Sequence, residues 1–255
     1  MIDRARELFD ADAAGYRKYK YSTEVSPLDW HSFESRRLCV SRLWPQHVRR
    51  TLDLGCGSGP YLPLLAGRSD ELVAMDFSPA MLEEARKACP DIPCTYVEGD
   101  AMAPGGEDGS FDLVNCIGVL EYLPRPEDCL AGIRRLLGEG GTAVVSVPNA
   151  HSLWRLSERC YGPILRRLRR LTGRRRDEQK MDSFPRRLYT PRSIRRTVES
   201  AGLRVDRVAY YNYRLPLVGG VWPGLSLALS RCLERTAPPP VAAWLGGGIA
   251  LRIRK

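Results

Sequence analysis

The chain has 255 residues, of which 44% are hydrophobic and 27% are charged, a composition typical of a soluble globular protein. The eight cysteines are scattered without a CxxC pair, and the three histidines lie at no metal-ligand spacing from one another or from a cysteine pair. These spacings exclude the common zinc motifs and predict buried free thiols in a reducing compartment.

The net charge of +9 is divided unevenly along the chain. Residues 1–150 carry 16 Lys and Arg against 23 Asp and Glu, whereas residues 151–255 carry 23 against 7. The basic second part predicts contact with something acidic, such as lipid headgroups, nucleic acid or an anionic substrate. No signal-peptide pattern opens the chain, so we expect a cytoplasmic location, with membrane association as an open alternative.

The first segment of a predicted single domain, residues 1–45, is expected to form an N-terminal helical cover. Charged and apolar residues alternate at helical spacing over 2–14, and a second apolar pattern over 31–44 ends at Pro45. A basic stretch with Tyr16 and Tyr21 lies between them. This segment precedes a glycine-rich turn and is expected to fold over its mouth.

Residues 46–150 are predicted to form an α/β core. Apolar runs alternate with helical patterns, which implies a parallel sheet covered on both faces. Ser78 is the predicted N-cap of a helix with Pro79 at its first position, and glycines mark a turn over 138–141. The predicted strands are 50–54, 71–75, 94–97, 111–116 and 142–147, and the predicted helices are 61–66, 79–88 and 127–137.

Residues 51–60 (TLDLGCGSGP) place glycine at three alternate positions between a strand and a helix. Glycine permits positive φ and close approach of the backbone to a ligand, and the N–H groups of such a turn favour an anion. Asp76, 21 residues after Gly55, ends the second strand, where an acid binds both ribose hydroxyls. Asp100 follows the third strand, and Asp53 lies inside the first. The three acids indicate an adenosine ligand; the alternative is that each caps a loop.

Five segments together resemble the ordered motifs of class I S-adenosylmethionine-dependent methyltransferases: 52–60, 74–78, 99–101, 111–114 and 136–148. The resemblance covers about residues 45–150. It implies an α/β, Rossmann-like seven-stranded sheet with six parallel strands and an antiparallel last strand, which residues 249–253 can supply. It also implies S-adenosyl-L-methionine as the cofactor.

The resemblance implies a role for each group of cofactor-binding residues. Gly55, Cys56 and Gly57 would approach the methionine part, Asp76 the ribose, and Asp100 with Ala101 the adenine. The resemblance places Ile117 under the cofactor, while the position of Phe77 directly after Asp76 independently predicts that its ring flanks the adenine. The remaining predicted contacts are Asp53, Met81, Met102 and, for the cofactor carboxylate, Tyr16 with Arg36 or Arg37.

Within this class, residues 119–124 (VLEYLP) and 147–152 (VPNAHS) resemble the quinone-biosynthesis, methyltransferase type 11 group. The O-methylating members of that group carry a Glu at the position of Gly118 and a His at that of Tyr122. Together with a Glu that matches Glu121, these side chains bind a metal ion. Only Glu121 is present here, so we expect no bound metal.

Residues 151–189 are predicted to be a basic amphipathic insertion that forms a helical lid after the fifth strand. An apolar stripe runs through 152–171, and residues 152–176 hold nine arginines and one acid. A solvated face, a membrane-surface helix and a nucleic-acid contact all stay open, the last being least favoured because few aromatic residues interleave with the charges. Residues 190–255 are predicted to add a helix, two strands and an apolar lid over 215–230.

The sequence predicts an enzyme that methylates an oxygen, nitrogen or carbon of a small, hydrophobic biosynthetic intermediate. In-line displacement requires alignment and exclusion of water, and needs a base only for a poorly ionised acceptor. The candidate bases are His31, His151, Tyr21 and Glu121, although both histidines also fit surface or loop positions. The alternative function is a non-catalytic methyltransferase-like protein that binds membrane or nucleic acid through the arginine-rich helix.

Overall fold

The computed structural model describes residues 2–11, 13, 15, 27–157, 160–161, 186–214 and 222–255. Seven strands form one sheet: β1 (Val48–Leu54), β2 (Ser69–Asp76), β3 (Thr95–Glu98), β4 (Phe111–Ile117), β5 (Leu137–Pro148), β6 (Arg204–Tyr213) and β7 (Gly246–Arg254). Their order across the sheet is β3-β2-β1-β4-β5-β7-β6. β7 runs antiparallel to both β5 and β6, and all other pairs are parallel. The predicted Rossmann-like sheet is confirmed.

Helices cover both faces of this sheet. Leu130 and Ile194 join the apolar layer on one face, whereas Val40, Leu62 and Leu82 join the layer on the other. The helices with defined bounds are α1 (Ile2–Ala11), α2 (Pro27–Ser41), α3 (Leu62–Ala66), α4 (Pro79–Ala88), α5 (Pro126–Leu136), α6 (Pro191–Ser200), α7 (Pro223–Thr236) and α8 (Pro239–Leu245).

Helix α4 begins as the sequence predicts. Ser78 is in the extended conformation and its Oγ accepts a hydrogen bond from the Met81 N–H at 3.1 Å. Pro79 follows in the first turn, where its missing N–H costs no hydrogen bond and its restricted φ suits the helix. This start fixes the first turn of α4 directly beyond the end of β2.

One prediction for the secondary structure was wrong. Residues 138–141 lie within β5, where the pairing shifts from Phe111–Leu137 to Leu113–Thr142, so the glycines mark an irregularity in the strand rather than a turn before it. Residues 223–230 of the predicted apolar lid are helical and belong to α7. Pro223 and Pro239 begin α7 and α8, because proline is tolerated in a first helical turn.

Helix α1 lies across the carboxyl ends of the central strands. The ring of Phe9 makes edge contacts with Phe77 and Tyr122, with both pairs of centroids 5.8 Å apart. Asp10 accepts a hydrogen bond from the Ser78 hydroxyl, and Arg6 pairs with Glu98 at the end of β3. These contacts place the first helix of the predicted N-terminal cover over this edge of the sheet.

The predicted basic insertion is described only at its ends. Residues 153–157 and 160–161 are helical, and Tyr189 forms a bridge with Asn149. Most of the arginine-rich stretch lies outside the described residues, as do Tyr16, Tyr21 and residues 215–221. The division into segments 1–45, 46–150, 151–189 and 190–255 stays a prediction.

Candidate functional site

A pocket opens at the carboxyl ends of β1, β2, β3 and β4, the edge at which parallel α/β sheets bind ligands. Its empty volume, including the part open to solvent, is about 960 Å³. The wall combines polar groups from the strand ends with apolar rings. It is formed by Phe9, Asp53, Gly55, Cys56, Gly57, Pro60, Tyr61, Asp76, Phe77, Gly99, Asp100, Ala101, Ile117, Gly118, Val119, Tyr122 and Leu123.

The glycine-rich turn forms one side of the pocket. Gly55 has a φ of 73° and Gly57 a φ of 53°, both in the left-handed region that glycine adopts without strain. A Cβ at Gly55 would collide with the adjacent side chain of Val119. The Gly55 N–H donates to the Met75 carbonyl at 2.7 Å, so the turn after β1 is tied to the end of β2.

Asp76 is the polar centre of this wall. Its side chain is 5% exposed, and its two carboxylate oxygens accept hydrogen bonds from the N–H groups of Gly57 at 2.8 Å and Ser78 at 3.0 Å. Burial raises the pKa of Asp76 to about 6, although these two N–H groups oppose the rise. Each carboxylate oxygen has more than one acceptor site. Asp76 therefore retains the capacity to bind ligand hydroxyls.

Asp53 lies behind the turn and is almost fully buried, with 1% exposure. Its Oδ1 accepts from the Asn115 Nδ2 at 2.7 Å, while its Oδ2 has no hydrogen-bond partner among the described residues. Burial raises the pKa of Asp53 to about 7; the Asn115 hydrogen bond lowers it and the charge of Asp76 raises it. Asp53 therefore has one oxygen held by the protein and one unsatisfied oxygen.

Nine of the predicted cofactor residues line this single pocket. The Asp100 Oδ1 accepts from the N–H of Met102 at 2.8 Å, which folds the loop after β3. Phe77 and Ile117 contribute apolar surface. The nine are Asp53, Gly55, Cys56, Gly57, Asp76, Phe77, Asp100, Ala101 and Ile117.

Other predicted cofactor residues lie elsewhere. Arg37 is paired with Glu34 on its own helix, with its Nε and Nη2 at 2.7 and 2.6 Å from the two carboxylate oxygens. Met81 is buried in α4, and Met102 is not part of the pocket wall. Phe9 and Tyr122 line the pocket without having been predicted. The amphipathic pattern of residues 2–14 was the signal for Phe9, but it does not specify where the helix docks.

The candidate bases occupy three different environments. His31 is buried between α2 and α7, with its Nε2 3.0 Å from the Ser230 Oγ and 3.1 Å from the Glu234 Oε1. His151 stacks on Trp244 with the ring centroids 5.3 Å apart. Neither histidine is part of the pocket wall.

Glu121 lies immediately behind the pocket. A Cβ at Gly118, which lines the pocket, would be 3.6 Å from the Glu121 Oε1 and 3.2 Å from the Arg36 Nη1. Burial raises the pKa of Glu121, and its Oε2 has no hydrogen-bond partner in the described part of the chain. No group of three or more His, Cys, Asp or Glu side chains is arranged to hold a metal ion among the residues that the structure describes.

Residues 52–145 match the family model described as a methyltransferase domain. The matched residues run from β1 into β5 and include the glycine-rich turn, Asp76 and Asp100. The predicted resemblance to class I methyltransferases is therefore confirmed.

Named relatives and solved structures agree with this assignment. The domain is similar to ubiquinone biosynthesis O-methyltransferase of Methylococcus capsulatus, with 31% identity over 105 residues, 40% of this chain and 44% of the relative. It is also similar to demethylmenaquinone methyltransferase of Renibacterium salmoninarum, with 34% identity over 144 residues, 56% of this chain and 58% of the relative. The chain thus spans about half the length of these two curated relatives.

The likeness in fold extends over nearly the whole chain. A crystal structure from Thermotoga maritima, described as a SAM-dependent methyltransferase and possible histamine N-methyltransferase, superposes with a TM-score of 0.65. The superposition covers 98% of this chain and 99% of that one at 17% sequence identity. At this identity the superposition bears on the fold alone.

The pKa of Asp53 leads to a testable prediction about the stability of the ligand-free domain. Between the ordinary aspartate pKa of 3.8 and the folded value of about 7, the folded state retains a proton that the unfolded state has lost. Stability is therefore lost as pH rises through this window. We therefore compare the free energy of unfolding of Asp53→Asn with that of wild type. The difference in favour of the variant should be about 2 kcal/mol larger at pH 8 than at pH 5.

Denaturant unfolding at several pH values checks this expectation. Asp91→Asn, which neutralises an exposed carboxylate, serves as the control and should show no comparable change with pH. If the difference in unfolding free energy between Asp53→Asn and wild type is constant from pH 5 to pH 8, burial does not raise the pKa of Asp53 in the folded protein.

Proposed function

We propose that this chain is an S-adenosylmethionine-dependent methyltransferase acting on a small, hydrophobic acceptor. The observation that carries the proposal is the Asp76 carboxylate, which two backbone N–H groups hold at the wall of the pocket beside the glycine-rich turn. A carboxylate in this position accepts from both hydroxyls of a ribose. The methyltransferase domain match over residues 52–145 supports the same cofactor.

The residues present fit this cofactor. Asp76 would bind the ribose, Phe77 and Asp100 with Ala101 would surround the adenine, and the turn at Gly55 and Gly57 would accommodate the methionine part. The unsatisfied Asp53 Oδ2 is an acceptor that suits a cationic group. When bound, S-adenosylmethionine supplies a methyl group activated by its sulfonium.

The contribution of the protein is alignment and exclusion of water. Helix α1 covers the pocket through Phe9, which contacts Phe77 on one side and Tyr122 on the other. We place the acceptor on the side formed by Gly118, Val119, Tyr122 and Leu123, where apolar groups predominate. An apolar site covered in this way limits the access of water to the transferred methyl group.

We keep Glu121 as the candidate base. It lies against Gly118 at the acceptor side, and its raised pKa brings its titration closer to neutrality. His31 is engaged by Ser230 and Glu234, and His151 by Trp244, so both are proposed as structural residues. The names of relatives refer to ubiquinone biosynthesis, demethylmenaquinone and trans-aconitate, all of which are small-molecule chemistry.

We further propose that the acceptor is reached at a membrane surface. Leu153, Leu156, Tyr161 and Trp244 have 38–51% exposure, and we refer to them as the apolar rim. His151 stacks on Trp244, so the start of the basic insertion and α8 are neighbours. Exposed apolar side chains beside a basic segment suit an anionic lipid surface. None of the described helices is long and apolar enough to span a bilayer.

Binding of S-adenosylhomocysteine, the demethylated product, tests the cofactor assignment. We expect isothermal titration to detect binding to the wild-type chain and Asp76→Ala to lose about 2 kcal/mol of binding free energy, because hydrogen bonds to a charged group are lost. Asp70→Ala, at the opposite end of β2, is the control and should bind like wild type. Absence of binding to wild type would refute the proposed function.

Flotation with phosphatidylserine-containing vesicles tests the membrane contact. We expect wild type to float and the triple variant Leu153→Ser, Leu156→Ser, Trp244→Ser to bind at least about tenfold less, since apolar burial is lost. The control is Val208→Ser, which removes an exposed apolar side chain from β6. Equal flotation of wild type and the triple variant would remove the rim from the proposal.

A further inference from the structure

A chain of three buried side chains connects the loop after α2 to the cofactor pocket. The Trp44 Nε1–H donates to the Asn115 Oδ1 at 3.0 Å, and the Asn115 Nδ2–H donates to the Asp53 Oδ1 at 2.7 Å. The exposed fractions are 4% for Trp44, 0% for Asn115 and 1% for Asp53. Three polar side chains with so little exposure are costly to bury unless their hydrogen bonds are made.

The donor and acceptor groups of these three side chains set the direction of both hydrogen bonds. An indole N–H can only donate, so it requires the amide oxygen of Asn115 on its side. The amide nitrogen must then face Asp53, where an ionised carboxylate can only accept. The orientation of the Asn115 amide therefore follows from its two neighbours.

Trp44 is itself fixed. Its ring makes an edge contact with Tyr61, with the centroids 6.3 Å apart, and the Arg68 guanidinium lies over the Trp44 ring, 5.6 Å from its centroid. Arg68 donates to the carbonyls of Ser41 and Pro45, which hold the loop that carries Trp44. The Asp53 carboxylate is thus held from outside the pocket by a rigid set of contacts.

The other carboxylate oxygen of Asp53 is not held. Oδ2 is buried without a hydrogen-bond partner in the described part of the chain, although Asp53 forms part of the pocket wall. A buried, unsatisfied carboxylate oxygen beside a ligand pocket is an acceptor for a donor that the ligand brings. The strongest such donor is a cation.

We propose that Asn115, oriented by Trp44, is a positioning residue that holds Asp53 with Oδ2 available to the ammonium group of the cofactor's amino-acid tail. This inference rests on the proposed function. It assigns recognition of the tail to the hydrogen-bonded side chains Trp44, Asn115 and Asp53, which we call the relay. The relay runs from the loop after α2 through β4 to β1. The relay does not touch the ribose or the adenine, so its effect should be confined to ligands that carry the tail.

Several titratable groups surround Asp53. Burial raises the pKa of Asp76 on β2 to about 6 and that of Cys94, next to β3, to about 12. Burial raises the pKa of the Cys56 thiol on the turn well above its ordinary value, and a hydrogen bond with Cys129 together with burial does the same for the Cys116 thiol on β4. The thiols therefore stay neutral between pH 6 and pH 8.5. Asp76 titrates in that range, but as the ribose acceptor it should affect ligands with and without the tail alike.

The test compares two ligands by isothermal titration. S-adenosylhomocysteine carries the amino-acid tail, whereas 5′-methylthioadenosine keeps the nucleoside and lacks the tail. We expect Asn115→Leu to weaken S-adenosylhomocysteine binding about tenfold or more at pH 8 and 5′-methylthioadenosine binding less than about threefold. The wild-type preference for S-adenosylhomocysteine should fall as pH drops through about 7, and Asn115→Leu should shift this fall to higher pH, because the hydrogen bond that lowers the pKa of Asp53 is gone.

Two further variants keep the test decisive. Trp44→Phe retains an aromatic ring without the N–H and should reduce the same preference in the same direction by about threefold, even if Asn115→Leu does not fold. Val114→Ala shortens a buried apolar side chain on the same strand as Asn115. It should weaken the binding of both ligands equally or of neither.

Three outcomes would overturn the inference. If Asn115→Leu and Trp44→Phe lose equal affinity for the two ligands, the relay is a purely structural feature of the sheet. An unchanged preference and pH profile in both variants would show that the relay does not position Asp53. Failure of wild type to bind S-adenosylhomocysteine would remove the proposed function as well, whereas wild-type binding with unaffected variants would remove only this inference.

Discussion

The structure of the pocket depends on the two backbone N–H groups that hold the Asp76 carboxylate. One belongs to Gly57 in the turn after β1, and the other to Ser78 at the start of α4. The carboxylate therefore joins the end of one strand to the turn that follows its neighbour. Glycine is needed in that turn because Gly55 and Gly57 both have positive φ, and because the chain approaches Val119 closely.

This arrangement carries an electrostatic cost in the absence of ligand. Asp53 and Asp76 are both nearly excluded from solvent, and their mutual repulsion adds to the effect of burial on Asp53. A ligand that brings hydroxyls to one and a cation to the other offsets this cost, so binding and stability should be coupled. Perturbed carboxylates at the wall of a pocket are more typical of a ligand site than of a core that is optimised for stability.

The part of the fold that forms the pocket was largely predictable from the sequence, because the sequence signals for it are local. A glycine-rich turn, an acid at a fixed distance from it and the Ser78-Pro79 helix start each depend on a few adjacent residues. Nine predicted residues lie in one pocket for this reason. The bounds of α7 and α8 were missed because a proline at the start of a helix and a proline that breaks a chain look alike without the tertiary context.

Contacts between distant residues could not be predicted in the same way. Nothing in residues 2–11 specifies that Phe9 meets Phe77 and Tyr122, and the Trp44–Asn115–Asp53 relay joins residues that are up to 71 positions apart. Arg37 was proposed as a cofactor contact from its place in the chain, whereas its geometry favours Glu34 three residues away. Short-range ion pairs of this kind compete with any function assigned from position alone.

The central claim is that this edge of the sheet binds S-adenosylmethionine with its ribose on Asp76. A crystal structure of the chain soaked with S-adenosylhomocysteine tests the claim most directly. We predict both ribose hydroxyls within hydrogen-bonding distance of the Asp76 carboxylate and the adenine between Phe77 and the loop at Asp100. A ligand bound elsewhere, or bound in this pocket with its ribose away from Asp76, would contradict the account.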